Sequence, residues 1–357
     1  MRLGPKIDKI SDAHYIALLT RHEAALAKLA DMLEGRAPLS VKRAAFLVEQ
    51  AWLGDLNWNS FDAELRRRGD LVRSRLPAFP TNEDRHAALL AFFRDTTWTT
   101  GTDGQPAVAH LPLRFDFEDF WGDKGWSRMF VTRLLRSGGG QCRSLSLLYL
   151  LLAQEVGAEA GLAFAPGHAF IRRRDAAGEW RNLELTNGTY LNDAAYLQTG
   201  YIKAEAVRNG VWIRAQTDTQ TVAWLAAELA KGWYYHVDAI DARGFIQSCS
   251  ALSETHGRET LDGLIVRSNV LTARFLWEMD EARWPDLKTS GEKEHVKAKR
   301  FLREARDCYR RIDGAGYESI PPEVYERWLR SLSLRGMSAL GDNWLTCNPL
   351  ASFGPPP

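Results

Sequence analysis

The chain has 357 residues, 45% of them apolar and 25% charged. That is the balance of a folded globular protein with material for a sizeable core, and it excludes a mainly disordered chain. Lys plus Arg number 46 and Asp plus Glu 45, so the formal charge is +1; this argues against a dedicated nucleic-acid binder, whose domain would be basic, and leaves Arg172-Arg173-Arg174 as a local basic candidate. No apolar run reaches the roughly 18 residues that a membrane span needs.

In chain order, the first hundred residues read as helices. Ser11 can cap a run carrying Leu18, Leu19, Ala25, Leu26, Leu29 and Leu33 at helical spacing, and Gly35 stops it. Ser40 opens a second helix that ends at Gly54. A third spans about Ser60 to Leu76, closed by Pro77 and Pro80, and Thr81 or Asn82 starts a fourth. Residues 98–126 lose the helical period. We read them as an ordered connection leading to a short helix from Phe130 to Leu135.

Gly138-Gly139-Gly140-Gln141-Cys142 then introduces an apolar helix from about Arg143 to Val156, stopped by Gly157. Beyond it the period changes to 2. Strands are expected at Gly161–Ala165, Ala169–Arg174 and Trp180–Thr186, the last two joined by the turn residues Asp175 to Gly178. Asn209-Gly210 between Tyr201–Val207 and Val211–Ala215 reads as a type I′ hairpin. From about Thr217 the pattern is helical again, with candidates at 219–236, 241–256, 259–280, 293–312 and 321–335. Their pairing suggests helical hairpins like tetratricopeptide units, although the small and aromatic positions do not keep that repeat closely. The division expected is a helical region over 1–110, a mixed core over 111–216, a helical-hairpin region over 217–353 and a frayed tail over 354–357. The fold class expected is α+β.

The four cysteines, Cys142, Cys249, Cys308 and Cys347, form neither a C-x-x-C pair nor a regular spacing, so neither a disulfide framework nor a zinc knuckle is expected. A reducing compartment follows, and with no apolar segment behind Met1-Arg2-Leu3 a cytoplasmic location is the expectation. The histidines show no metal spacing, so no metal and no cofactor are proposed. Thirteen Trp is a high count, for which core packing is the plainest use.

Three residues stand where one reactive site would need them. Cys142 follows a glycine triplet and opens an apolar helix, where the free N–H groups and partial positive charge of a helix N-terminus favour a thiolate. His168 starts a strand just after Pro166-Gly167, and Glu184 ends the next strand. If those strands pair, imidazole and carboxyl fall at the same end of the hairpin, which is the logic of a nucleophile, a base and an orienting acid. Gln141 could donate to an oxyanion beside the Cys142 N–H or serve as a turn amide. Trp121 and Trp126 could wall the site or pack the core, and Asp116, Glu118 and Asp119 could line it or pair with Arg133 and Arg136.

The pieces Gly140-Gln141-Cys142, Gly167-His168-Ala169-Phe170 and Trp180-Arg181-Asn182-Leu183-Glu184-Leu185-Thr186 resemble the papain-like transglutaminase core over roughly residues 127–216. Pro166-Gly167-His168 looks like the bacterial branch of that superfamily related to SirB1, and the helical tail is similar in kind to its repeat-bearing members. The whole chain looks like bacterial proteins that carry a Gly-Gln-Cys motif and a Glu-Leu-Thr-Asn-Gly segment. The resemblance implies a helix packed on a small antiparallel sheet, flanked by N-terminal helices and the tetratricopeptide-like tail. It implies Cys142 as nucleophile, His168 as general base and acid, and Glu184 as orienting acid. Beside these, Gly140, Gln141 and Trp121 are expected near the substrate. Glu184 stands where the family usually has Asp and Leu185 where it has Pro; Asn187 is the other candidate for the third role.

The activity expected is cysteine-dependent acyl transfer on a peptide or protein amide, by hydrolysis or by transfer to an amine. The tail would offer a surface to a protein partner. The alternative is an inactive fold of the same kind serving as a scaffold.

Overall fold

The computed structural model describes residues 12–119, 124–199, 202–237, 243–257, 261–279 and 292–318, with scattered positions between 321 and 330. The predicted helix at 321–335 lies mostly outside the described residues. So do Cys347, Trp121 and the tail over 354–357. The architecture is α+β, mainly helical with small sheets. No helix among the described residues is long and apolar enough to cross a membrane.

Contacts divide the chain into two compact units. Residues 57–216 form one, and residues 12–56 with 217–317 form the other. Among its described residues the second unit holds helices and no strand: α1 (Asp12–Leu33) and α2 (Val41–Leu53), then, numbered in chain order, α9 (Asp218–His236), α10 (Arg243–His256), α11 (Asp262–Glu278) and α12 (Glu292–Gly314). Ser40 caps α2 by accepting the Arg43 N–H at 3.1 Å, and Gly54 ends it with φ +83°. Each later helix packs on the next, and α9 also packs on α1 and α2. Trp233 on α9 is fully buried, edge-on to His22, Tyr15 and Phe245. Trp224, Trp126 and Trp212 are also core residues, whereas Trp98 is exposed.

The first unit carries the mixed segment. Its helices begin with α3 (Trp58–Arg73) and α4 (Asn82–Arg94). Thr81 and Asp84 cap α4 reciprocally, side chain to backbone in both directions. Within the segment expected as an ordered connection lies a two-stranded hairpin: β1 (Thr97–Thr100) pairs antiparallel with β2 (Pro106–His110). Then come β3 (Arg114–Phe115), a 3-10 turn at Trp126–Met129, α5 (Val131–Ser137), β4 (Gly139–Gly140) and α6 (Cys142–Val156). Leu147, Leu148, Tyr149, Leu152 and Ala153 of α6 are all fully buried, as expected of a helix with apolar residues on every side. It packs on β5 (Ala160–Ala165) and β6 (His168–Arg174), and also on α3, α4 and α5.

The sheet is an antiparallel meander in the order β5, β6, β7 (Trp180–Glu184), β8 (Thr189–Leu191). Two short helices follow, α7 (Asp193–Thr199) and α8 (Ala204–Arg208). Here the expected hairpin is corrected. Asn209-Gly210 is a helix end: the Gly210 N–H reaches Val207 O at 3.0 Å and the Val211 N–H reaches Ala206 O at 2.9 Å, the paired bonds of a Schellman cap. Gly210 has φ +73°, and a positive φ serves a helix C-terminus as well as a type I′ turn. The segment after it lies along β5 without forming a regular strand, through Ile213 N–H to Phe164 O at 3.0 Å and Gln216 N–H to Leu162 O at 2.7 Å.

Candidate functional site

The nucleophile candidate is presented by a run of constrained backbone. Gly138 caps α5 in the left-handed region, φ +70°, with its N–H on Leu134 O. Gly139 and Gly140 pair in parallel with Arg114 and Phe115. A Cβ on Gly140 would lie 2.5 Å from Ser144 Oγ and 3.1 Å from Leu134 Cδ1, so only glycine lets the strand approach the helix start this closely. Ser144 Oγ in turn accepts the Gln141 N–H at 3.0 Å. Cys142 is therefore the first residue of α6, partly exposed. By helix geometry its N–H has no carbonyl four residues back to bond.

The base candidate is placed by the β5–β6 turn. Pro166 cannot take a positive φ and Gly167 has φ +70°, which leaves the type II arrangement. His168 thus becomes the first residue of β6, opposite Ala165. The acid candidate follows from register. Ile171 pairs with Leu183, so Glu184 falls opposite Phe170, two residues from His168 on the same face.

The three groups meet. His168 Nε2 lies 2.7 Å from Glu184 Oε2, both side chains 1% exposed. The Cys142 thiol lies beside His168 and the Ala169 N–H, both of which act on its charge. With Nε2 held by the carboxylate, Nδ1 is the ring nitrogen left for sulfur. Ser146 of α6 also donates to Ala169 O at 3.2 Å, tying the nucleophile's helix to the histidine's strand.

Two residues that the sequence reading missed complete the acid. Thr186 donates its N–H at 2.9 Å and its hydroxyl at 2.7 Å to Glu184 Oε1. Tyr196 of α7 donates to Oε2 at 2.9 Å. With His168 this makes four donors for a carboxylate with about four acceptor positions. Thr186 sits two residues after the acid, a spacing that favours such local bonds, but nothing in the sequence ties Tyr196 to it. Asn187 is engaged elsewhere: its Oδ1 accepts the Thr189 N–H and hydroxyl at the start of β8.

Electrostatics favour a charged pair. Burial would lower the His168 pKa, but the Glu184 charge, the Cys142 sulfur and the hydrogen bond to Glu184 raise it, to about 10. Burial would raise the Cys142 thiol, but the neighbouring His168 charge and the nearby Ala169 N–H bring it below its ordinary value. Burial likewise opposes ionisation of Glu184, and His168 with the Thr186 donors outweighs it, so that carboxyl is held low.

The flanking residues take other positions. The Gln141 side-chain amide donates to Asp119 O and, at 3.4 Å, to Asp116 O, fastening the 116–119 segment to the start of α6. Asp116 and Asp119 pair with Arg128, at 3.0 and 3.4 Å, where the sequence alone leaves lining the site or pairing with Arg133 and Arg136 as the alternatives. Trp126 is core, with the buried Arg143 guanidinium over its ring at 5.6 Å. The Arg172–Arg174 cluster is neutralised internally: Arg173 is clamped on Glu83 at 2.6 and 2.8 Å, Arg172 reaches Asp193 and Arg174 reaches Glu159. Cys249 and Cys308 are buried, with thiol pKa values pushed up by burial. Among the described residues no group of three His, Cys, Asp or Glu side chains could hold a metal ion.

The arrangement can hold a thiolate beside an imidazolium at neutral pH, with a carboxylate fixing the ring. No family model, curated protein or solved structure matches this chain.

Proposed function

We propose that this protein is a cysteine-dependent acyl-transfer enzyme acting on a peptide or protein amide, with a papain-like transglutaminase core and no cofactor in the reaction. The single observation that carries the reading is the cluster Cys142–His168–Glu184, built from three separate elements, with His168 hydrogen-bonded to Glu184 and acting on the Cys142 sulfur beside it. A structural cysteine has no need of it. Cys249, buried in a helix, shows the ordinary case: its thiol is pushed up, not down.

The chemistry follows from the geometry. The Cys142 thiolate attacks the amide carbonyl carbon, and the carbonyl electron pair moves to oxygen. The resulting oxyanion faces the first-turn N–H groups of α6, beginning with that of Cys142. His168 gives its proton to the leaving nitrogen as the C–N bond breaks, leaving a thioester and a neutral imidazole. Water or a second amine then attacks the thioester. His168 takes the proton of that nucleophile, and the thiolate leaves. Glu184 stays ionised throughout and holds the ring with Nε2–H toward itself. Gly140 and the 116–119 segment fastened by Gln141 flank the nucleophile, and with Trp121 they are the residues proposed to meet the substrate.

Intact-mass detection of a covalent acyl adduct from a panel of peptide and primary-amide substrates tests the reading. One adduct is expected on the wild-type chain and none on Cys142→Ala. An adduct on neither, or equally on both, would favour a scaffold that retains the fold without the activity.

A further inference from the structure

The acid of this site is a glutamate, whose carboxylate sits on one more rotatable bond than an aspartate's. Left alone, such a group would sweep an arc and hold the imidazole loosely. The structure removes that freedom from two directions. On one oxygen, Thr186 supplies both its hydroxyl and its backbone N–H. On the other, the Tyr196 hydroxyl arrives at 2.9 Å beside the His168 bond. Tyr196 is itself immobilised: it is 1% exposed, and its ring stacks on Phe170 with centroids 4.1 Å apart and planes 14° apart. Phe170 is fully buried and lies on β6 two residues beyond His168.

We infer that Tyr196 and Thr186 are positioning residues for the proposed reaction: they lock the Glu184 carboxylate in the one pose that keeps His168 aimed at Cys142. The inference rests on the acyl-transfer reading and adds to it the parts that let glutamate serve. The two residues hold opposite oxygens, so each alone leaves the carboxylate a pivot about the other's anchor. Loss of both frees it. Among the described residues, the titratable groups facing His168 include Cys142 from α6, Glu184 from β7 and Tyr196 from α7, with Asp193 at the start of α7 acting on Tyr196.

Tyr196→Phe keeps the ring stack and deletes only the donor. Thr186→Val deletes the hydroxyl and keeps the backbone N–H, and Thr186→Ser restores the hydroxyl. The readout is the rate of Cys142 alkylation by iodoacetamide against pH, with site occupancy read by peptide mass. This needs no substrate. The wild type should react along a limb below the ordinary thiol value. Tyr196→Phe and Thr186→Val should each move that limb upward and cut the rate at pH 7 several-fold, because a wandering imidazolium stabilises the thiolate less. Thr186→Ser should return to the wild-type curve, and Tyr196→Phe with Thr186→Val should lose at least as much as the two single losses combined, the Thr186 N–H being the one donor besides His168 left on the carboxylate.

A purely structural role would lower the folded fraction and leave the limb where it was. Wild-type-like curves for both single variants, on a wild type with a depressed limb, would overturn this inference and leave the enzyme reading standing. An ordinary thiol limb in the wild type would overturn both. If Tyr196→Phe does not fold, the Thr186 pair decides alone.

Discussion

Replacing Glu184 by glutamine keeps shape and volume while changing what the oxygen end can accept. The site offers four donors: the Thr186 N–H and hydroxyl, the Tyr196 hydroxyl and His168 Nε2. A glutamine oxygen can satisfy the two from Thr186. Its NH2 then faces the ring, so a protonated His168 would meet donor with donor. The ring is driven to its neutral form with Nε2 as acceptor, and the thiolate loses its counter-charge. A hydrogen bond to a charged group contributes about 1.5–3 kcal/mol, which at about 1.4 kcal/mol per tenfold is a roughly ten- to hundredfold loss. The assay is the second-order rate of Cys142 alkylation at pH 7, with thermal unfolding measured in parallel. The Glu184→Gln chain should stay folded and react ten- to hundredfold more slowly, its acid limb displaced toward the ordinary thiol value. A folded variant that reacts at the wild-type rate along the wild-type limb would refute the reasoning.

Other outcomes follow from the same coordinates. Gly140→Ala places a methyl 2.5 Å from Ser144 Oγ and 3.1 Å from Leu134 Cδ1; a loss of about 1–3 kcal/mol in urea-unfolding stability is expected, and an unchanged midpoint would contradict the close approach. In the native protein Cys249 and Cys308 should remain unlabelled while Cys142 is consumed, because burial raises their thiols; peptide mapping after a short pulse checks this, and comparable labelling would contradict it. Stability should fall with acid well before carboxylates titrate. His22, His86 and His110 are held neutral by burial, each pushed from 6.5 down to about 4. The unfolded chain therefore binds more protons below pH 6.5, and stability present above that value is lost as pH drops toward 4. The difference of about 2.5 units, at about 1.36 kcal/mol per unit, is on the order of 3 kcal/mol for each ring. Urea midpoints at pH 7 and pH 5 measure it; equal midpoints would contradict it.

The centre of the molecule was legible because its signals are local. A glycine run before an apolar helix, Pro-Gly before a histidine and a two-residue alternation across Trp180–Glu184 each act within a few residues, and pairing through the Asp175–Gly178 turn then follows from register. The expected strands at 161–165, 169–174 and 180–186 correspond to β5, β6 and β7 within two residues at either end. What stayed hidden depends on contacts distant in sequence or on degenerate local chemistry. The pair Asn209-Gly210 suits either a type I′ turn or a helix end by residue type; Asn209 at φ −78°, with only Gly210 positive, belongs to the helix end, and Ala206 behind it is buried. The β1–β2 hairpin is mostly exposed and short, so no alternation marks it. Tyr196 reaches Glu184 only because α7 folds back on the sheet. Gln141 beside the nucleophile fitted either an oxyanion donor or a turn amide; its amide is engaged by two backbone carbonyls of a segment more than twenty residues upstream.

The central claim is a protonated His168 facing a Cys142 thiolate at neutral pH. Nitrogen-15 NMR of the imidazole in the wild-type protein reads it directly. Both ring nitrogens of His168 should carry protons from pH 6 upward, with loss of one only as pH approaches about 10. A His168 that titrates near the ordinary value of 6.5 and is neutral at pH 8 would contradict the account.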